Sequence, residues 1–241
     1  MNRIAEAAPV GPDEIAAALH EMAEVHASKP RKKHPLWIAL MDGTLPRSQV
    51  REHIKQFSAV PLYNHNYHGP LYVNCPDPEW RKRMAEVVYE EGAGGLYAGG
   101  TPHYKLYLRL GEAFGIGAEE MYATAFCGGS VAWRAYFEAI SRRNFLEGYA
   151  ALSLGGEAQV PGVSGKVSES MVRHYGLSAE QAAFYSVHED ADKDHSGGGD
   201  EFLRRFCRTK AELALAVTAV RDAVNVSWLM YEDIYAHIQK F

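Results

Sequence analysis

Residues 184–195 read FYSVHEDADKDH. On a helix, at ~100° per residue, His188, Asp192 and His195 stand at i, i+4 and i+7, and their side chains fall within an arc of roughly 60°. Phe184 lies one turn earlier on the same face, so that face begins apolar and turns polar. Glu189, Asp190 and Asp194 point away from it, toward water. Two imidazoles and a carboxylate on a buried face must each find a partner or cost free energy. A first-row metal ion supplies one partner for all three. The competing arrangement is a buried salt-bridge network in which Asp192 holds both histidines.

The chain around this stretch has 241 residues, 47% hydrophobic and 23% charged, which is enough to bury a sizeable core. The formal net charge is −5 and there is no long basic run, which argues against nucleic acid and anionic membrane surfaces as partners. The short basic segment KPRKKHP at 29–35 reads as a solvated loop before a helix. Cys75, Cys127 and Cys207 are far apart and odd in number, so they are expected as core thiols in a reducing compartment. The N-terminus lacks a continuous apolar segment, and no run reaches the ~18 apolar residues of a membrane span. A soluble, cytoplasmic protein is expected.

Hydrophobic periodicity of ~3.6 residues recurs along the chain, with no alternating strand, no hairpin signal and no fixed-period repeat. After a loose lead over 1–12, Asp13 is positioned to cap a helix to about residue 28, and 34–43 forms a short helix. A long helix follows over 46–74, bent near Pro61 and Pro70. Asp77 caps the next, over 78–91, whose inner stripe is Met84, Val87 and Val88. Glu91 lies one turn on, on the apolar side, and Glu90 is rotated away. Residues 92–100 hold five glycines and read as a flexible loop. Further helices are expected over 103–115, 118–126, 129–144, 145–159, 163–175, 178–195, 199–208 and 209–239. The fold class is all-α, a single-domain helical bundle over 1–241.

The set His188, Asp192, His195 resembles the third ligand element, His-x3-Asp-x2-His, of the haem-oxygenase-like diiron oxidases and oxygenases. The resemblance extends backwards: Glu157 stands thirty-one residues before His188, Glu91 sixty-six before Glu157, and His103 opens the helix after Glu91. The segments HPLWIALMDGTLPRSQV, NCPDPEWRKRMAEVVYEE and HYKLYLRLGEAFG are similar to those framing the site across the superfamily. The resemblance implies a haem-oxygenase-like bundle. It also implies two Fe(II), or Mn, held by Glu91, His103, Glu157, His188, Asp192 and His195, with Glu90 as the alternate to Glu91. Three carboxylates and three imidazoles suit such ions between the helices of a bundle. O2 is the implied co-substrate, reacting at the reduced pair through a bridging peroxo species to oxidise a small molecule. Relatives of this kind act on amines, amino acids and fatty acids, often in secondary-metabolite biosynthesis, and homodimers are common among them.

An amino-acid-like substrate is expected because Arg134, Lys166 and Arg173 can pair a carboxylate. His65 and His68 can line its cavity with Phe57, Asn64 and Tyr72. His20, His26, His53, His174 and His237 are expected at the surface. The GG at 155–156 lets Glu157 swing in or out. Rival readings come from the same superfamily. The oxidase of pyrroloquinoline quinone biosynthesis needs no metal, and thiaminase-like members pair a Cys with a Glu. One diiron branch makes 4-aminobenzoate by consuming its own tyrosine, at a place where this chain has Trp37. A non-catalytic helical binding protein is the remaining alternative.

Overall fold

A computed structural model of the chain describes residues 10–196 and 198–241, and of 191–196 the backbone alone. Among these residues every regular element is helical. The axis is the last helix, α13 (Lys210–Ile238), 29 residues long, which Thr209 and Glu212 cap reciprocally. By length and composition α13 is apolar enough to cross a membrane. In this fold it is the packed centre of a bundle, with Ala216, Val220, Ala223 and Ile234 fully buried.

Helix α1 (Pro12–Ser28) lies along α13. Its start is fixed by Glu14 rather than Asp13, the Glu14 carboxylate accepting from the Gly11 N–H at 3.0 Å. A 3₁₀ turn, Arg31–Lys33, leads into α2 (Pro35–Met41), capped by the His34 ring, which accepts from the Leu36 N–H. The single bent helix expected over 46–74 is two helices, α3 (Arg47–Phe57) and α4 (His65–Asn74). Pro61 lacks an N–H to continue the ladder and opens a 3₁₀ turn between them, whereas Pro70 is accommodated inside α4.

Asp77 caps α5 (Pro78–Ala93), as the sequence indicates, by accepting from the Trp80 N–H at 2.9 Å. The helix stops at Gly94, where φ is +67° and an added Cβ would sit 2.1 Å from the Thr101 carbonyl oxygen, so only glycine fits. After α6 (His103–Ala113), α7 (Ala118–Tyr122) and α8 (Gly128–Arg143), α9 (Phe145–Tyr149) runs without a break into a π-helical segment, Ala150–Glu157. Then come α10 (Ser164–Tyr175), α11 (Ala183–Ser196) and α12 (Gly199–Phe206). The π segment and α8 pack on α13 from one side, and α11 packs on α6, α10 and the π segment. The ends of α5, α6, α11 and the π segment thereby meet around the inner end of the bundle.

Candidate metal centre and cavity

Two adjacent glutamates end the buried face of α5, and both are removed from solvent: Glu90 is 0% and Glu91 8% exposed. Separated by ~100° of helix, they reach different partners. The ring of His103, itself 0% exposed at the start of α6, lies between them. Its Nε2 is 2.9 Å from Glu90 Oε1, and its Nδ1 is 3.1 Å from Glu91 Oε2. The first contact is a hydrogen bond. The second lacks hydrogen-bond geometry, so the Nδ1 lone pair is aimed elsewhere. Glu90 Oε2 accepts from the Leu96 and Tyr97 N–H groups at 2.6 and 3.1 Å. The glycine-rich loop is therefore closed onto Glu90 rather than free, which corrects the flexible loop expected for 92–100.

His188 comes from α11. Its Nδ1–H donates to the Phe184 carbonyl at 2.7 Å, which sets the ring proton on Nδ1 and the lone pair on Nε2. Its ring lies 4.6 Å from that of His103, centroid to centroid. Ligand atoms of Glu91, His103 and His188 lie within 4.8 Å of one another. Asn64 donates to Glu91 Oε2 and holds that carboxylate in place. Both histidines are oriented by an acceptor on the nitrogen facing away from the cluster, the usual support of metal-binding imidazoles. An oxygen and two nitrogens make a donor set that fits a divalent first-row ion such as iron. Without an ion the cluster balances its own charge. Burial opposes charging His103, but the Glu91 and Glu90 carboxylates more than offset it and raise its pKa to about 9. Burial likewise opposes a charged Glu91, yet His103, then His68 and His188, hold it well below the carboxylate range.

The cluster opens on an inner cavity of about 90 Å³, lined by Glu91, His188 and Glu157 together with mostly apolar side chains. Glu157 is the last residue of the π segment, and its Oε1 is 3.7 Å from His68 Nε2. Gly155 is pressed against α13, where an added Cβ would lie 2.7 Å from that of Ala223. Gly155 thus serves a close helix contact. The structure brings together Glu91, His103 and His188, sets Glu157 and His68 on the same cavity, and gives Glu90 a supporting position. The side chains of Asp192 and His195 lie outside the described residues.

The cationic residues expected to bind substrate are elsewhere. Arg134 stacks 3.6 Å over the Tyr63 ring and pairs with Glu138 at 2.9 Å. Lys166 and Arg173 are on the solvent side of α10 in an outer pocket with Asp42 and Glu169, because its inner face is taken by Val167, Ser170 and Met171. His65 and Tyr72 are exposed and leave the cavity to His68, Phe57 and Asn64. His53 is not at the surface but fully buried, stacked on Phe57. Glu189 does not face water alone: it accepts from the Gly162 and Gly165 N–H groups. Nor is the basic segment 29–35 wholly solvated, since Arg31 is 5% exposed and lines the cavity. Cys75 and Cys207 are buried, Cys127 is half-buried, and none of them lines this cavity, so a thiaminase-like Cys–Glu pairing is not formed there.

Comparison with known proteins identifies the fold and the family. A 4-aminobenzoate synthase of Nitrosomonas europaea is 24% identical over 216 residues, covering 84% of this chain and 85% of that one. A TenA homologue of Pseudomonas syringae pv. tomato superimposes with a TM-score of 0.74 at 14% identity, over 95% of this chain and 98% of its own. A domain of unknown function with a haem-oxygenase-like fold from Shewanella denitrificans gives a TM-score of 0.68 at 14% identity, over 95% and 94%. The two structures establish the haem-oxygenase-like fold. Residues 51–228, the span that carries all six expected ligands, match the family of iron-containing redox enzymes, and the chain belongs to that family as an oxidoreductase.

Proposed function

We propose that the chain is a non-haem diiron oxidase or oxygenase that uses O2 to oxidise a small, amino-acid-like molecule in its inner cavity. The observation that carries this reading is the convergence of Glu91, His103 and His188, with both ring tautomers preset by Glu90 and the Phe184 carbonyl. These three would hold one iron. Glu157, with Asp192 and His195 of α11, would complete a second site, for which Mn is a competing occupant. Iron held there supplies redox chemistry with O2. The chain's own residues do the rest. Asn64 fixes Glu91, Glu90 fixes His103, and the apolar walls around Phe57, Trp133 and Leu152 exclude water from the reacting end.

The test is metal content after anaerobic loading with Fe(II) or Mn(II). Two irons per chain and O2 consumption with a turned-over substrate support the reading. His188→Ala with unchanged iron content and turnover overturns it. A metal-free oxidase is the second reading, favoured by the His103 ring lying between two carboxylates that satisfy it without an ion. Full turnover by chelated, iron-free protein would select it.

The name of the Nitrosomonas relative favours a narrower version, formation of 4-aminobenzoate. Trp37 is fully buried and does not line the cavity, whereas Tyr67, Tyr185 and Tyr231 do. A self-consuming reaction would have to alter one of these tyrosines, which intact-mass and peptide-mass measurement after turnover would reveal. We place the protein in a reducing cytoplasm because its three cysteines are free thiols. The assembly state, for which a homodimer is the default, is read by light scattering. A role in secondary metabolism is an analogy, and the neighbouring biosynthetic genes would bear on it.

A further inference from the structure

Arg31 sits on the 3₁₀ turn before α2 with 5% of its surface exposed. Its guanidinium is held by aromatic faces alone: 3.8 Å over the Trp37 ring, 5.6 Å from the Tyr231 centroid and 5.9 Å from that of Phe57. The backbone there is pinned by Gln159, whose side chain accepts from the Arg31 N–H at 2.6 Å. Among the described residues no carboxylate pairs with the guanidinium, and its buried Nε has no hydrogen-bond partner. His103, by contrast, has two carboxylates beside it. A guanidinium keeps its charge even when buried. Leaving it unpaired costs free energy unless an anion joins it. It lines the same cavity as Glu91, His188 and Glu157, which are acidic or metal-binding, so the cavity is polar at separate places with aromatic and aliphatic walls between.

We propose that Arg31 is the anion anchor of this cavity, and that the substrate is a small organic carboxylate whose acid group pairs with the guanidinium while its body extends toward Glu91 and His188. The orientation part rests on the metal-centre reading; the anchor does not. Planar, bidentate pairing with a carboxylate is what a guanidinium offers and an ammonium does not. The cavity's 90 Å³ compares with roughly 10–15 Å³ for each water-sized position, so it admits a molecule of about six to nine heavy atoms. Phosphorylated or polyanionic substrates are disfavoured, since a single arginine is the one cationic side chain among the described lining residues apart from the histidines.

The test titrates full-length, metal-free protein with benzoate and hexanoate and with their neutral isosteres benzamide and hexanamide, read by calorimetry and by the fluorescence of Trp37 and Trp133. At least one acid is expected to bind in the millimolar range or tighter, roughly tenfold or more better than its amide. Arg31→Gln is expected to remove that preference, and Arg31→Lys to restore part of it, with iron content unchanged in both. Acid and amide binding equally to the wild-type protein, or neither acid binding, overturns the proposal without recourse to any variant. A folded Arg31→Gln protein that keeps the preference also overturns it. Protein that prefers the acid but takes up no iron on anaerobic loading leaves the anchor standing while the metal centre fails; protein that loads iron but shows no preference does the reverse.

Discussion

Replacing Glu90 by Gln separates support of the metal site from support of the fold. Glu90 makes three hydrogen bonds: one to His103 Nε2, and two from the backbone N–H groups of Leu96 and Tyr97. A glutamine keeps the shape, and its carbonyl oxygen still accepts from the loop. Its NH2 then faces His103 Nε2, which is satisfied only if that nitrogen becomes an acceptor and the ring proton moves to Nδ1. Nδ1 is the atom turned toward Glu91, so the wrong tautomer faces the metal. Loss of a supporting carboxylate of this kind costs about 10–100-fold in metal affinity, or ~1.4–2.7 kcal/mol. The fold loses less, on the order of 1 kcal/mol, because the Leu96 and Tyr97 N–H groups keep their acceptor. Glu90→Ala instead removes the acceptor on which the 94–101 loop closes, along with the support of His103, and should depress both quantities. The assay is Fe(II) binding by anaerobic chelator competition, beside thermal melts of the metal-free proteins. Glu90→Gln that binds iron like the wild type refutes the assignment of Glu90 as the group orienting His103. So does iron loss that merely follows the melting temperature across the two variants.

Three further outcomes follow from the same geometry. Burial holds the pKa of His53 down at about 3, with the Arg31 charge adding to it, and burial holds His34 down at about 4 against a weaker pull from Glu232. Both are neutral when folded and take up a proton on unfolding below their ordinary 6.5, so their contribution is complete above pH 6.5 and is lost as pH falls toward 4 and 3. His103, raised, is protonated in both states there, so stability in a pH series of denaturant melts should fall below pH 6, and less steeply in His53→Phe. Gly94→Ala puts a side chain at positive φ against the Thr101 carbonyl and should cost ~2 kcal/mol or more, read as a lower denaturation midpoint. On the diiron proposal, Glu157→Gln should leave one iron per chain in place of two, measured by elemental analysis; retention of two would remove Glu157 from the ligand set.

The helical architecture was legible because amphipathic periodicity and caps such as Asp77 are local signals. Its errors were local too: the sequence does not say that Pro61 divides two helices while Pro70 sits inside one, because packing decides which proline is tolerated. Glu91 and His188 were marked by helix phase, and His103 only by the resemblance to the diiron family; the structure brings the three together. Glu90 was read only as a substitute for Glu91. Its supporting role depends on the fold of 94–101 back onto α5, which no short-range pattern encodes. Arg31 was hidden most completely. Flanked by Lys29, Lys32 and Lys33, it looks like one more solvated charge, and only the tertiary placement of Trp37, Phe57 and Tyr231 makes it an interior residue. A clue was present in the number of aromatic residues, 27 in all, but not in their positions relative to the 3₁₀ turn.

The widened helix at Ala150–Glu157 links core packing to the site. A π-helical stretch carries more residues per turn than an α-helix and recurs at functional sites. Here its inner side is fixed by Gly155, which lies against Ala223 Cβ and the Val220 backbone of α13, and its last residue, Glu157, then faces the cavity. If the contact holds the register, Gly155→Ala should force the segment off α13, since the new Cβ would be 2.7 Å from Ala223 Cβ and 3.3 Å from Val220 backbone atoms. Overpacking of this kind costs ~1–3 kcal/mol. Ala223→Gly alone should cost ~1 kcal/mol as a helix-interior glycine. Combined, the two should recover stability, with a coupling on the order of 1 kcal/mol because the glycine opens space for the new methyl group. Iron content should follow, falling in Gly155→Ala as Glu157 is displaced and returning in the double variant. Strict additivity in the melts, or full iron content in Gly155→Ala, would mean that the helix contact and the carboxylate's position are independent, and the register argument would fail.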